Sequence, residues 1–507
     1  METTLVEKVE QQSLRFGTKV FIESPETGET LSFKELEQEC KWFRENMLKC
    51  GARKKDRVIL FLENGINFAI SFWGITYSGL VAVPVNYSYK KKEFDYVVND
   101  SQASYLITSK KIYQEKSALF DNYRHRVTEL EERGLILLVF KEEDEYHQVE
   151  EVRKDDLALL LYTSGTTGDP KGVMLTHFNL LTESVNIASA HEFTEDDITV
   201  CILPFFHING LVITLITPMT VGMKVIIPVK FSASKFWDWI EKYKVTWFSG
   251  VPTIYSILLS KEKDTTKDYS SLRFARSASA ALPVAVLNEF EERYHVPIIE
   301  AFGISEGGSQ ITANPLPPKP AKAGSVGIGF GNTVRIVDDL GNEKKPFEKG
   351  EIIVKGDNIA SGYWRKPEIT KESFIDGWFH TGDLGYMDDE GYLFISGRTK
   401  ELINRAGEKF SPREIDEVLY QIPEVELAAA VGVPNKLYNE EVVAYIRLKE
   451  NRNISAEYIQ NYCKTKLADF KVPKEIFFTE DFPKGPSGKI QRLKLVDRYL
   501  HDKTKEK

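Results

Sequence analysis

The sequence is poor in cysteine and has no excess of positive charge, and these two features exclude several classes of protein. Its four cysteines, Cys40, Cys50, Cys201 and Cys463, are scattered without a CxxC pair or the spacing of metal ligands. This usage is typical of a reducing compartment and gives no sign of structural zinc. The net charge of -9 argues against a protein that binds along nucleic acid.

Long hydrophobic runs are also missing. The N-terminal residues lack the basic and apolar regions of a signal peptide, and no apolar stretch reaches the length needed to span a bilayer. We therefore expect a cytoplasmic protein without a transmembrane segment. A chain of 507 residues is too long for one compact core, so at least two domains are expected.

Strand and helix patterns alternate near the N-terminus. Residues 57–62 and 81–85 have the composition of strands, and the apolar segment 67–79 between them is typical of a helix. This alternation predicts an α/β fold with a parallel sheet flanked by helices. Residues 5–50 are expected to be helical with one polar interruption.

The C-terminal part has a different pattern. Residues 334–339 and 351–355 predict antiparallel strands joined by glycine-rich turns, which indicates a small β-rich subdomain. Further strands are predicted at 428–433 and 442–447, followed by a helix near 456–467. Two helix starts carry a capping box, the first with Ser32 and Glu35 and the second with Ser411 and Glu414.

The stretch from Tyr162 to Gly172 is the most informative in the chain. An apolar run at 157–161 predicts a buried strand, and small or hydroxyl residues then follow without a break. Such a loop presents backbone N–H groups and hydroxyls to phosphate oxygens, and Lys171 adds a positive charge. The pattern is not a Walker A sequence, because Pro170 precedes the lysine and Gly172 follows it.

A second pattern places an aromatic residue, a glycine and an acid after a predicted strand at 297–302. The ring of Phe302 can stack on adenine. The carboxylate of Glu306 offers the oxygen ligand that Mg²⁺ requires. Two more residues stand out near the C-terminus. Asp383 can accept hydrogen bonds from both ribose hydroxyls, unless it is only a turn residue, and Lys489 lies between Gly488 and an apolar residue, where a plain surface lysine is the alternative.

Together these motifs resemble the adenylate-forming superfamily, which includes acyl-CoA synthetases, stand-alone adenylation domains and luciferases. The resemblance runs from about residue 31 to about residue 492, with several motifs in the expected order. It implies a large N-terminal ATP- and acid-binding domain at 1–397, built of stacked α/β sheets with a β-rich subdomain. A small, mobile α+β domain would follow at 398–507.

The resemblance also implies a role for each matching residue. Lys489, Glu306 and Thr166 would be catalytic, and Thr163 and Glu306 would hold Mg²⁺. Lys400 would be the hinge between the domains, and Gly407 would leave room for a pantetheine arm on the thiol face. The implied nucleotide-binding residues are Thr163, Ser164, Gly165, Thr166, Thr167, Lys171, Ser279, Ala280, Ala301, Phe302, Gly303, Ser305, Asp383, Arg398 and Lys489.

The acid is expected to bind near the segment 203–211. By the resemblance His207, Phe206, Trp247 and Gly250 would line the acyl pocket, although a lone histidine among apolar residues is more often a core residue. No carboxylate stands near His207, so an α-ammonium group would be buried without a partner, and amino acids should be rejected. The aromatic residues favour an acid with an apolar tail.

The expected activity has two steps. A carboxylic acid and ATP form an acyl-adenylate and pyrophosphate, with Mg²⁺, and a thiol then accepts the acyl group, most simply that of CoA. The alternatives are loading of a carrier-protein phosphopantetheine, a luciferase-like oxygenase and a non-enzymatic nucleotide-binding relic. No nucleic-acid partner is expected.

One subgroup matches more closely than the rest. Residues 271–330 and the segment 404–409 resemble oxalate-type CoA ligases. That subgroup tends to place a histidine just after the metal-binding glutamate, for a second carboxylate. Here the residues that follow Glu306 are Gly307, Gly308, Ser309 and Gln310, which argues against oxalate itself.

Overall fold

The computed structural model describes residues 3–123, 126–141, 150–163, 170–484 and 490–505. Its helices are α1 (Leu5–Phe16), α2 (Phe33–Lys49), α3 (Ile66–Tyr77), α4 (Lys91–Ser101), α5 (Lys110–Glu115), α6 (Ser117–Phe120), α7 (His177–Ala190), α8 (Thr217–Val221), α9 (Phe236–Tyr243), α10 (Pro252–Leu259), α11 (Val284–Tyr294), α12 (Pro367–Ser373), α13 (Pro412–Leu419), α14 (Ala456–Lys464) and α15 (Arg492–Lys505). A π-helical segment, Asn209–Ile216, leads directly into α8.

The strands, in chain order, are β1 (Val20–Glu23), β2 (Thr30–Ser32), β3 (Arg57–Phe61), β4 (Val81–Pro84), β5 (Tyr105–Ser109), β6 (Arg126–Leu130), β7 (Leu135–Val139), β8 (Leu157–Thr163), β9 (Lys171–Thr176), β10 (Ile198–Val200), β11 (Lys224–Ile226), β12 (Trp247–Gly250), β13 (Phe274–Ser277), β14 (Ile298–Phe302), β15 (Thr312–Ala313), β16 (Ile328–Gly329), β17 (Thr333–Val337), β18 (Gly350–Lys355), β19 (Phe374–Ile375), β20 (Trp378–Met387), β21 (Leu393–Arg398), β22 (Ile403–Arg405), β23 (Glu408–Phe410), β24 (Val425–Asn435), β25 (Asn439–Leu448) and β26 (Glu475–Phe478).

Two large sheets and the helices between them form the N-terminal part. The first sheet has the order β6-β7-β5-β3-β4-β8-β9, and the second has the order β16-β15-β14-β13-β12-β10-β11-β1-β2. One buried hydrophobic cluster joins residues of both sheets with residues of α2, α3 and α7. Helix α3 is buried along almost its whole length because it lies inside this cluster. The central strands of both sheets are parallel, as the alternating pattern predicted.

A third sheet forms the β-rich subdomain. It contains β17, β18, β20 and β19 in that order, with β21 paired to β20. The predicted antiparallel pair is present as β17 and β18. The fourth sheet, with the order β23-β22-β25-β24 and β26 beside β25, belongs to the C-terminal part, where α13 and α14 pack on it. The predicted α/β fold class is therefore confirmed.

The structure corrects two local predictions. The helical region expected over residues 5–50 is interrupted by strands β1 and β2, which extend the edge of the second sheet. The Ser32 capping box is present, whereas Ser411 caps α13 alone through its bond from the Arg413 N–H. Glu414 instead forms ion pairs with Lys349 and Lys471, because long lysine side chains reach it from neighbouring loops.

The predicted domain boundary lies close to a change of sheet. Strand β21 ends at Arg398, and β22 begins the fourth sheet at Ile403. A 3₁₀ turn at Thr399–Glu401 connects them. Within the described residues, the helices are all too short or too polar to cross a bilayer.

Candidate active site

A cavity of about 220 Å³ lies between the second sheet, the β-rich subdomain and the C-terminal part. Seven residues predicted to bind nucleotide line it: Ser279, Ala280, Ala301, Phe302, Gly303, Asp383 and Arg398. The opposite wall is formed by α13 with Ile490 and Arg492. The structure thus brings together residues that are more than a hundred positions apart in the sequence.

The cavity opens at the carboxyl ends of β13 and β14, where parallel sheets commonly bind ligands. Ser279 has a φ of 72°, and its hydroxyl accepts a hydrogen bond from the Asn209 amide at 3.2 Å, which holds this unusual backbone. A side chain at Gly303 would collide with the Ser309 carbonyl, since an added Cβ would lie 1.5 Å from that oxygen. Small residues therefore let a flat ring approach the backbone beside Phe302.

Asp383 and Arg398 form one side of the cavity. They are paired in the register of β20 and β21, and the Arg398 Nε donates to Asp383 Oδ1 at 2.8 Å. Burial lowers the pKa of the Arg398 guanidinium, but the negative charges of nearby carboxylates raise it by more, so the net shift is upward. These carboxylates belong to Asp383, Glu401 and Glu306. Arg398 therefore links the cavity electrostatically to Glu306.

Glu306 lies in a 3₁₀ turn just beyond the cavity. One of its carboxylate oxygens accepts a hydrogen bond from the Tyr363 hydroxyl at 2.6 Å. The Lys171 Nζ lies 5.0 Å from the centre of the Tyr363 ring, within cation–π range. Thr163 and Lys171 are directly opposite each other in the pairing of β8 and β9. The strands that carry the predicted phosphate-binding residues therefore lie next to Glu306, the predicted metal ligand.

Tyr363 was missed by sequence analysis. Its segment adds to the edge of β9, because the Trp364 N–H donates to the Gly172 carbonyl and the Met174 N–H to the Gly362 carbonyl. Tyr363 is 57 residues away from Glu306 in the sequence, and no sequence pattern indicates that the two are in contact. The carboxylate fits a hard cation such as Mg²⁺, since it offers oxygen and is held in place by a neutral donor.

Not every predicted site residue lies in the described part of the chain. Ser164, Gly165, Thr166, Thr167 and Lys489 lie outside the described residues. Ser305 begins the 3₁₀ turn that carries Glu306 and is half-buried.

The four residues predicted to line the acyl pocket are not among those that line this cavity. Phe206 and His207 are adjacent rings, 4.8 Å apart, at the start of the π-helical segment. Gly250 ends β12 against the ring of Tyr255. Trp247, at the other end of β12, is fully buried and packs on Phe193 at a ring distance of 4.4 Å. Trp247 is thus in the hydrophobic core rather than on the cavity wall.

Sequence analysis also missed Glu300 on β14. This carboxyl is 3% exposed, and one oxygen accepts from the Leu282 N–H at 3.2 Å. Its other oxygen has no hydrogen-bond partner among the described residues. Burial raises the pKa of Glu300 to about 7, although Arg413 works against the shift. A buried glutamate on a central strand gives no sequence signal, because its neighbours are apolar.

The C-terminal part contributes α13 and Ile490, the residue after Lys489, to the cavity wall. Ile490 lines the cavity, and Arg492 is held there by Asp416 and by the Ala430 carbonyl. Gly407 lies away from the cavity on an exposed turn with a φ of 94°, a conformation that favours glycine. Lys400 is exposed in the turn between the third and fourth sheets.

Comparison with known proteins identifies this arrangement. Residues 9–364 match the model of the AMP-binding enzyme family, and residues 414–489 match the AMP-binding enzyme C-terminal domain. The chain belongs to the AMP-binding enzyme family. The predicted membership of the adenylate-forming superfamily is thereby confirmed, and the chain is an AMP-forming acid–thiol ligase.

Two similar proteins are CoA ligases. The chain is 39% identical over 460 residues to an oxalate–CoA ligase of Arabidopsis thaliana, covering 89% of this chain and 90% of that protein. It is 36% identical over 502 residues to a sulfoacetate–CoA ligase of Cupriavidus necator, covering 97% of each. Among solved structures it resembles o-succinylbenzoate coenzyme A synthetase of Bacillus subtilis in complex with ATP and magnesium ion, with a TM-score of 0.84 and 29% identity over 98% of this chain and 100% of that one.

Proposed function

We propose that this enzyme converts a carboxylic acid and ATP to an acyl-adenylate and pyrophosphate, and then transfers the acyl group to CoA. The observation that carries this proposal is the single cavity that collects Phe302, Asp383 and Arg398 with residues of the C-terminal part. Its small residues suit a purine ring, and Asp383 suits a ribose diol.

The first step needs positive charge around the reacting phosphate. The acid attacks the α-phosphorus of ATP, and negative charge develops on the phosphate oxygens as pyrophosphate leaves. Lys171 and Arg398 supply cations on two sides, while Glu306, fixed by Tyr363, would hold Mg²⁺ together with Thr163. A bound Mg²⁺ supplies charge neutralisation at the phosphates. The enzyme contributes no covalent nucleophile, so positioning and electrostatics account for the rate.

The observed arrangement of the two parts suits adenylate formation. Lys489 lies outside the described residues, and its place in the sequence next to the cavity-lining Ile490 supports a role for its charge in the first step. The exposed position of Gly407 supports a second arrangement for thiol transfer, in which a rotation about Lys400 exchanges the two faces.

The acceptor is tested by offering two thiols. The enzyme, ATP, Mg²⁺ and an acid that supports turnover are incubated with either CoA or a holo-acyl carrier protein, and the thioester is quantified by mass spectrometry. We expect acyl-CoA with AMP and pyrophosphate in equal amounts. Thioester formed on the carrier protein alone would replace CoA by the carrier in this proposal.

A further inference from the structure

A buried arginine lies directly behind the cavity wall. Arg276, on β13, is 1% exposed, and its partners are all neutral side chains. Its Nε and Nη2 both donate to Gln310 Oε1 at 3.1 Å. Its Nη1 donates to Asn209 Oδ1 and to Ser249 Oγ, each at 3.1 Å. Within the described residues, this guanidinium has no carboxylate at ion-pair distance.

The acid that acts on the charge of Arg276 is not its hydrogen-bond partner. Glu183, on α7, accepts from the Gln310 backbone N–H and from the Asn358 amide, and it does not contact Arg276. Burial raises the pKa of Glu183 well above its ordinary value, although the charge of Arg276 works against that shift. His191, which also bonds Gln310 Oε1, is kept neutral because burial lowers its pKa to about 3. Gln310 therefore stands between Arg276 and Glu183, since its side-chain oxygen accepts from the guanidinium and its backbone N–H donates to the carboxyl.

Gln310 adds a hydrogen-bond donor that is not used. Its Oε1 is taken by Arg276 and His191, which fixes the orientation of the amide. Its Nε2 is buried and has no acceptor among the described residues. Buried polar atoms are nearly always paired in folded proteins, and an unpaired one costs free energy. A charged guanidinium beside an unpaired amide N–H is an environment for an anion.

This cluster separates the cavity from the aromatic core. Asn209 bridges Arg276 to Ser279, which lines the cavity, so the guanidinium is one side chain behind the wall. Arg276 is level with Ser249 in the pairing of β13 and β12, while Phe274 is level with Trp247 deeper along the same strands. An apolar tail that started in the cavity would meet the charged cluster before it reached Trp247.

We propose that the acid substrate is short and carries a second anionic group, a carboxylate or a sulfonate, which Arg276 and Gln310 bind. This inference rests on the proposed function, since the first carboxylate is the one that reacts with ATP. It replaces the apolar tail expected from the aromatic residues of the sequence. The absence of a histidine after Glu306 is compatible with it, because Arg276 provides the positive charge instead.

The test compares matched acids in the wild-type enzyme. Acid-dependent exchange of labelled pyrophosphate into ATP is measured with oxalate, malonate, succinate and sulfoacetate, and with butyrate, hexanoate and benzoate. Malonamate serves as the neutral isostere of malonate, and succinamate as that of succinate. We expect at least one diacid or sulfonate to exceed every monoacid in kcat/KM, and to exceed its neutral isostere about 10- to 100-fold, as for hydrogen bonds to charged groups.

Three variants then assign the preference to the cluster. In Arg276→Met, the ratio of kcat/KM for the preferred diacid or sulfonate to that for its neutral isostere should fall to about one. Arg276→Lys should keep part of this preference. Gln310→Glu places a carboxylate beside the guanidinium and should abolish use of the doubly charged acid while keeping the fold. Arg293→Met is the matched control, since Arg293 pairs with Glu289 outside this cluster and should leave the preference unchanged.

The outcomes separate the two proposals. If apolar monoacids support exchange as well as the doubly charged acids do, this inference is overturned and the proposed function stands. If no acid of any class supports exchange, the proposed function itself fails. Should Arg276→Met not fold, as judged by its melting curve, the wild-type acid panel and Gln310→Glu still decide the matter.

Discussion

The hydroxyl of Tyr363 donates a 2.6 Å hydrogen bond to the carboxylate of Glu306, and the Tyr363 ring lies beneath the ammonium group of Lys171. One side chain thus fixes the distance between the proposed metal ligand and the proposed phosphate ligand. Burial and the neighbouring Glu306 raise the pKa of Tyr363, so the hydroxyl stays protonated and remains a donor at every physiological pH.

Tyr363→Phe should remove the hydrogen bond to Glu306 while the aromatic ring still fills its place in the structure. Losing a hydrogen bond to a charged group costs about 1.5–3 kcal/mol, which corresponds to a 10- to 100-fold loss in the adenylation rate. We also expect the Mg²⁺ concentration for half-maximal rate to rise. Both are measured by pyrophosphate exchange over a Mg²⁺ titration.

Two further variants serve as the control and as the stronger perturbation for this experiment. Tyr123→Phe removes the same kind of bond, a 2.9 Å contact to Asp95, between residues that do not line the cavity, and should leave the titration unchanged. Glu306→Gln removes the charge itself and should shift the titration further than Tyr363→Phe does. A Mg²⁺ dependence that is identical in wild type, Tyr363→Phe and Glu306→Gln would remove Glu306 from the metal site.

Some residues of this candidate site belong to local sequence motifs, and others do not. Asp383, Phe302 and Gly303 could be proposed because each lies in a short motif, and the fold places all three at the same cavity. Tyr363 and Arg276 were missed because their roles depend on contacts between distant segments.

Trp247 illustrates a second limit of the sequence. An aromatic residue on a strand that leads to the site suggested a pocket wall, but Trp247 is fully buried and packs on Phe193. The same limit applies to the N-terminal region, where β1 and β2 form only because β11 offers them a free edge. Local propensity could not supply that tertiary contact.

Lys489→Ala should separate the two half-reactions. We expect adenylate formation to fall by at least about 100-fold, the scale for removing one charge-stabilising group, while thioester formation from supplied acyl-adenylate continues. The control is Lys484→Ala, a lysine shortly before it that does not line the cavity. An equal loss in both half-reactions would contradict this division of labour.

Lys400→Pro should act on the second half-reaction. Proline fixes φ in the turn that joins β21 to β22 and so restricts rotation at the proposed hinge. Thioester formation should slow more than adenylate formation, as measured by single-turnover kinetics of each. Lys400→Ala keeps the backbone free and should behave like wild type. If the proline variant slows neither step, the pivot lies elsewhere.

Glu300→Gln should flatten the pH dependence of stability. The pKa of Glu300 is raised from 4.5 to about 7 by burial, so its neutral form stabilises the fold fully below pH 4.5, and this contribution is lost as the pH rises through 7. At about 1.4 kcal/mol per unit the loss is on the order of 3 kcal/mol.

Melting temperatures at pH 5 and pH 8, without nucleotide, give the readout. We expect the decrease between these two pH values to be smaller in Glu300→Gln than in wild type. Glu292→Gln, the same substitution at an exposed position on α11, is the control and should melt like wild type at both pH values. An unchanged decrease in Glu300→Gln would show that this carboxyl is already ionised in the fold.

The central claim is that this enzyme activates an acid as its adenylate, and acid-dependent incorporation of labelled pyrophosphate into ATP tests it most directly. The wild-type enzyme should show exchange with Mg²⁺, ATP and at least one acid of the panel, without any thiol. Asp383→Ala, which removes the proposed ribose contact, should abolish it. Exchange that is absent with every acid, or a product mixture of ADP and phosphate in place of AMP and pyrophosphate, would contradict the account.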